Sequence, residues 1–256
     1  MSRARLQTKD KSMRIGIIGA GNIGATLAKK LSDKGHVIKL ANSKGPHSLH
    51  DLARKVGATA VAAEDAVKDV DVIILSVPFS SFPSLSPLFQ NVPTDVTVID
   101  TSNYYPFRDG VIAEVARGKP ESVWVSEKVN RPVIKAWNAA LAETLANRGR
   151  PADDPMRIAL PVAGDNAAAK ETAMRLVEET GFDPIDAGTL ATSWRQQPGT
   201  PAYCTELNAS DLMGALDRAD RSRAPHNREA IINGIMGVGA ALIHDDVVAR
   251  NRAGTT

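Results

Sequence analysis

Arg14-Ile-Gly-Ile-Ile-Gly-Ala-Gly-Asn-Ile-Gly24 is the stretch on which the fold turns. A run of mostly β-branched residues ends at Gly19, and glycines recur at Gly21 and Gly24. Just beyond, Ile23, Leu27, Ala28 and Leu31 fall on one face of a helix that stops at Gly35, a left-handed cap. A strand, a Gly-x-Gly-x-x-Gly turn and an amphipathic helix in that order form a dinucleotide-binding unit. Gly19 supplies the tight turn, Gly21 lets the backbone approach a pyrophosphate, and Gly24 allows helix and strand to pack closely. The free N–H groups and the dipole at the helix start favour an anion. Gly19, Ala20, Gly21, Asn22, Ile23 and Gly24 are therefore expected to hold a diphosphate.

Working outward, short β-branched runs alternate with helix-period stretches, which argues for βαβ units around a buried parallel sheet. The strands fall at residues 14–19, 36–42, 72–77, 96–100, 133–137, 157–163 and 182–186. A later helix is expected to start with Asp165 as N-cap, to carry a Glu171–Arg175 pair, and to end at Gly181. After Asp186 the pattern changes: an irregular segment, residues 194–201, leads into helical stretches around residues 206–219 and 227–250. The expected fold is α/β, a Rossmann-type, doubly wound, mostly parallel sheet with a small C-terminal helical segment. Residues 1–12 read as a flexible polar extension, 13–188 as the nucleotide-binding domain and 189–256 as the helical segment.

The second strand indicates which dinucleotide. An NAD site usually ends this strand with an acid for the ribose 2′-hydroxyl, but here it ends Leu40-Ala41-Asn42-Ser43-Lys44. A carboxylate there would repel a 2′-phosphate, whereas Ser43 and Lys44 offer it a hydroxyl and a cation. NADP is expected, with Asn42, Ser43 and Lys44 at its adenosine end.

Composition excludes several classes. The 256 residues are 43% hydrophobic and 23% charged, as in an ordinary globular chain, and the net charge of +2 is too balanced for a nucleic-acid surface. Cys204 stands alone, so there is no disulfide framework. With no signal peptide in the sequence, a cytoplasmic protein is expected. Residues 72–94 carry no charge, but Pro78, Pro83, Pro87 and Pro93 exclude a membrane span. Residues 231–243 are apolar and Gly-rich but too short to cross a bilayer. They read as a helix whose apolar face makes a homodimer contact. His36 and His226 have no partners at ligand spacing, so no metal site is expected.

Met13-Arg-Ile-Gly-Ile-Ile-Gly-Ala-Gly-Asn-Ile-Gly24, Asn42-Ser-Lys-Gly45, Ser76-Val-Pro-Phe79 and Ala163-Gly-Asp165 together resemble the NADPH:8-hydroxy-5-deazaflavin (coenzyme F-420) oxidoreductase family. The N-terminal reductase domain of the six-transmembrane metalloreductases is similar too. The resemblance covers about residues 13–188. It implies hydride transfer between NADP and a deazaflavin or flavin, with Ser76, Val77, Pro78, Phe79 and Asn138 along the nicotinamide end. The deazaflavin enzymes carry a His where this chain has Asn138, and the metalloreductase domains show a Lys-Ala-Phe-Asn run similar to Lys135-Ala-Trp-Asn138.

Transfer to a ring acceptor requires alignment and exclusion of water, whereas reducing a small carbonyl or imine also requires a proton donor. Tyr104 and Tyr105 are the candidate donors; the catalytic candidates are thus Asn138, Tyr104 and Tyr105. Asn138 fits either a contact to the nicotinamide or acceptor or a cap on a helix starting at Ala139. Trp194 and Arg195 are candidates for the acceptor wall. A protein that senses NADP without turnover is the non-enzymatic alternative.

Overall fold

A computed structural model describes residues 12–238 and 243–255. Six strands, β1 (Arg14–Ile18), β2 (Val37–Ala41), β3 (Thr59–Ala60), β4 (Val72–Leu75), β5 (Thr97–Asp100) and β6 (Ile134–Lys135), form one sheet in the order β3-β2-β1-β4-β5-β6. Every pairing in it is parallel. This is the dinucleotide-binding strand order, with a crevice where the order reverses between β1 and β4. The eight longest α-helices of the described residues are α1 (Asn22–Asp33), α2 (His50–Val56), α3 (Glu121–Val129), α4 (Ala142–Asn147), α5 (Ala167–Glu179), α6 (Ala209–Asp217), α7 (Ala224–Val238) and α8 (His244–Ala253).

Side chains alternate across each strand, and both faces of the sheet are buried. Ile15, Ile17, Val72 and Ile74 meet Leu27 and Leu31 of α1 and Leu176 and Val177 of α5. Ile18, Ile73 and Leu75 meet Phe79, Phe82, Trp124 and Val125 on the opposite side. The doubly wound expectation therefore holds.

Two further strands, β7 (Ala159–Val162) and β8 (Asp183–Asp186), make a separate parallel pair bridged by α5. Reciprocal hydrogen bonds between Lys135 and Ala163 (2.8 and 3.0 Å) join β7 to β6 in antiparallel fashion. His36 ties the end of α1 to α5: its Nδ1 accepts the Met13 N–H at 3.0 Å and its Nε2 lies 2.5 Å from a Glu179 oxygen.

Several expectations are corrected. The strands are shorter at their ends than the apolar runs, and β3 breaks no alternation long enough to be noticed in sequence. Helix α5 is capped by Asn166, whose side chain accepts the Ala169 N–H; Asp165 instead accepts the Leu190 N–H. Arg175 faces Glu179, not Glu171. The stretch 227–250 is two helices, α7 and α8. Residues 1–11 of the polar extension and 239–242 of the apolar stretch lie outside the described residues. No helix of the described residues is long and apolar enough to cross a membrane, and none of their His, Cys, Asp or Glu side chains cluster as a metal site.

Candidate functional site

The turn between β1 and α1 stands at the carboxyl edge of the sheet. Gly19 has φ +109°, and a Cβ there would lie 2.0 Å from the Ser76 carbonyl oxygen, so the position requires glycine on two counts. Gly21 is the N-cap of α1, with no side chain bonded to the first turn and no acid within it. Nothing lies within 4 Å of where a Gly21 Cβ would point. The first amides of α1 thus have no intrahelical acceptor and no capping partner, and they face open space. These features fit a diphosphate: the donors are present, the field favours an anion, and the approach is clear.

At the end of β2 the Asn42 carboxamide closes a turn, accepting the Lys44 N–H at 2.9 Å while its Nδ2 donates to Ser48 at 3.0 Å. That turn leaves the Ser43 and Lys44 side chains exposed, and Lys44 forms no ion pair among the described residues. His47 and His50 lie alongside, ring centroids 5.2 Å apart. Asn42 therefore builds the turn, while Ser43 and Lys44 are free to meet a ligand.

Past β4, Ser76 and Val77 are half-buried and Pro78 is exposed at the crevice rim. Phe79 is different. Its ring is fully buried, stacked 4.8 Å from Trp124 and in contact with Phe82 and Tyr104. Its side chain belongs to the core and does not line the crevice.

The loops after β5 and β6 meet in a buried amide network. Asn138 donates from Nδ2 to the Asn103 side chain (2.9 Å) and to the Gln196 carbonyl (2.8 Å), and its Oδ1 accepts from Gln196 Nε2 (2.8 Å). Asn103 Nδ2 donates in turn to the Asn138 carbonyl at 2.9 Å. The capping alternative for Asn138 is thereby excluded: the next helix, α4, begins only at Ala142, after Leu141. Gln196 Oε1 is buried without a hydrogen-bond partner. Asn103 was not legible as a site residue, since no motif surrounds it, and Gln196, which closes a 3-10 helix (Leu190–Gln196), fell within the 194–201 segment with nothing to distinguish it from its neighbours.

Beneath this network lies a buried charged group. Asp100 accepts from the Ser102 N–H (2.9 Å), Ser102 Oγ (2.6 Å) and Ser122 Oγ (2.7 Å). Lys135, fully buried, donates from Nζ to the Ser102 carbonyl at 3.1 Å and lies 3.4 Å from Glu121. Burial pushes the Glu121 carboxyl up to about 7, against the opposing pull of Lys135. These groups fix the Thr101-Ser102-Asn103 loop from below.

The two tyrosines part company. Tyr104 is buried, donates to the Gly110 carbonyl at 2.9 Å and accepts the Ile112 N–H at 3.0 Å. Both functions of its hydroxyl are spent inside the fold, so Tyr104 is withdrawn as a proton donor. The Tyr105 hydroxyl instead lies 2.6 Å from that of Tyr203, and burial raises both phenols. Trp194 lies beneath the Arg221 guanidinium at 5.8 Å, and Arg195 faces Asp217 at 3.8 Å.

A model of the family described as NADP oxidoreductase, coenzyme F420-dependent, matches residues 14–104. The protein YjhV of Escherichia coli (strain K12) is 37% identical over 97 residues, 38% of this chain and 71% of that protein. The chain belongs to this family. Protein SMa0349 of Sinorhizobium meliloti, a solved structure, is 30% identical with a TM-score of 0.66, covering 78% of this chain and 97% of that one. The metalloreductase STEAP3 of Rattus norvegicus is 26% identical over 180 residues, 70% of this chain but only 35% of that protein. The family match covers the Gly19–Gly24 turn, the end of β2 and the Ser76–Phe79 loop, and stops at Tyr104. The match thus spans β1 to β5 and ends before β6.

Proposed function

We propose that the protein is an NADPH-dependent oxidoreductase that passes a hydride between NADP and a deazaflavin or flavin acceptor at the carboxyl edge of the sheet. One observation carries the reading: an uncapped helix start, free of acid and open to solvent, on the strand-turn-helix unit that grips dinucleotides. The exposed Ser43 and Lys44 side chains support NADP over NAD, because they are free to meet a 2′-phosphate.

In this reading Gly19, Ala20, Gly21, Asn22, Ile23 and Gly24 hold the diphosphate, and Ser76, Val77 and Pro78 border the nicotinamide. NADPH supplies the hydride. Asn138 holds the Asn103 and Gln196 loops together and so shapes the acceptor side of the crevice. The domain division proposed is a nucleotide-binding unit over residues 13–188 and an acceptor-side and dimer-contact segment over 189–256. Exposed Met236 of α7 and Ile243, the N-cap of α8, both part of the apolar stretch 231–243, support the homodimer. A lone, buried Cys204 is in keeping with a cytoplasmic setting.

A second reading, reduction of a small carbonyl or imine, is favoured by the Tyr105–Tyr203 hydroxyl pair. Each phenol stays protonated through neutral pH, and the one that accepts from its neighbour keeps its own proton to donate. Titration with NADPH and NADH, followed by an acceptor panel monitored through NADPH absorbance, tests both readings. Tight NADPH binding with turnover of a deazaflavin or flavin supports the first, turnover of carbonyls alone supports the second, and binding without any turnover indicates an NADP sensor.

A further inference from the structure

Outside the cofactor crevice, a cavity of about 290 Å³ lies between the segment carrying Tyr105 and Phe107 and the face of α7 that carries Arg228, Ile232, Asn233 and Met236. Arg228 is poorly matched where it stands. Its side chain is only 13% exposed, its Nε is buried with no hydrogen-bond partner, and its carboxylate neighbour, Glu229 at 3.5 Å, is itself 65% exposed. The guanidinium lies 5.5 Å over the Tyr104 ring, and the buried carboxylate behind it, Glu121, is already engaged by Lys135.

A guanidinium has five donors in a rigid fork that matches a carboxylate, and the long contact to Glu229 leaves the buried Nε unsatisfied, which is costly. Phe107, Ile232 and Met236 supply apolar walls, beside the polar Glu229 and Asn233. The volume lies at the low end of ligand pockets, about 300 Å³ and upward, which suits a small molecule and not a second nucleotide.

We propose that this cavity binds a small apolar monocarboxylate, its carboxylate on the Arg228 fork and its hydrocarbon part among Phe107, Ile232 and Met236. The site adjoins the crevice through Tyr105, two residues from Asn103, yet the proposal goes beyond the hydride-transfer reading and does not depend on it.

Calorimetric titration of the full chain with butyrate, butyramide and butyl phosphate tests the proposal. Butyrate should saturate, and butyramide should bind at least ten-fold more weakly. Arg228→Gln should lower butyrate affinity at least ten-fold, with Arg228→Lys intermediate. If Arg228→Gln does not fold, Met236→Trp, which fills the cavity, should abolish butyrate binding. NADPH affinity, measured on the same samples, should stay unchanged; loss of NADPH binding in the unmodified protein would sink the hydride-transfer reading and leave this one standing. Equal affinity for butyrate and butyramide, tighter binding of butyl phosphate, or butyrate binding indifferent to Arg228 would overturn the assignment. So would self-association that closes the cavity with no uptake of butyrate.

Discussion

The Gly19 carbonyl oxygen lies 1.9 Å from where a Cβ on Gly24 would stand. That oxygen is fixed by the turn and cannot retreat, and the Ser76 Cβ closes the other side at 3.3 Å. The third glycine of the motif is thus a spacing element between α1 and the turn proposed to receive the diphosphate.

Gly24→Ala is expected to push α1 away from β1, destabilising the fold by about 1–3 kcal/mol, the usual cost of overpacking. NADPH affinity should fall in parallel, because the first amides of α1 move with the helix. Urea unfolding and an NADPH titration on one preparation check this; an unchanged midpoint with unchanged affinity would refute it.

Lys44→Asp replaces the free cation at the end of β2 with a charge that repels a 2′-phosphate. A charge-assisted hydrogen bond contributes about 1.5–3 kcal/mol, so NADPH should weaken by about ten-fold to a hundred-fold. NADH lacks the extra phosphate and should change little. An equal loss for both coenzymes would remove the 2′-phosphate assignment.

Tyr104→Phe leaves the Gly110 carbonyl and the Ile112 N–H without their partner and should cost about 1–3 kcal/mol of stability. Any turnover should survive it at temperatures well below the unfolding transition. Tyr105→Phe is the sharper probe: ring reduction tolerates it, and carbonyl or imine reduction does not. Comparing turnover and thermal midpoints of the two variants separates packing from proton donation.

Glu121 gives the stability of the protein a pH dependence. Its carboxyl titrates near 7 when folded against an ordinary value of 4.5, so between those limits the folded chain binds more protons than the unfolded one. Stability therefore falls as pH rises from about 4.5 to about 7 and then levels off. Glu121→Gln removes this titration and should flatten that part of the profile, as read from urea midpoints across the range. A profile of the same slope in the variant would show that another group is responsible.

The sequence made the first βαβ unit legible because its signal is local: a strand, three glycines and an amphipathic helix leave few alternatives. The missing acid after Leu40 could be read for the same reason. What stayed hidden depends on distance. The roles of Tyr104 and Tyr105 differ through partners at Gly110 and Tyr203, and adjacency in sequence says nothing about which hydroxyl the fold consumes. Asn138 is committed by Asn103 and Gln196, which come from separate loops. Thr59–Ala60 is too short to show alternation, and Asn166 beside Asp165 offered two equally good caps until Leu190 claimed one of them.

The reversal at the Lys135–Ala163 bridge also gives the molecule a polarity. Because β7 runs against β6, the carboxyl ends of the second strand pair point away from the edge that bears the glycine turn. The second βαβ unit therefore cannot lend a helix start to the same ligand, and duplicated secondary structure here does not mean a duplicated nucleotide cleft. The proposed coenzyme chemistry is left to one pole, while the other is free to change without disturbing it.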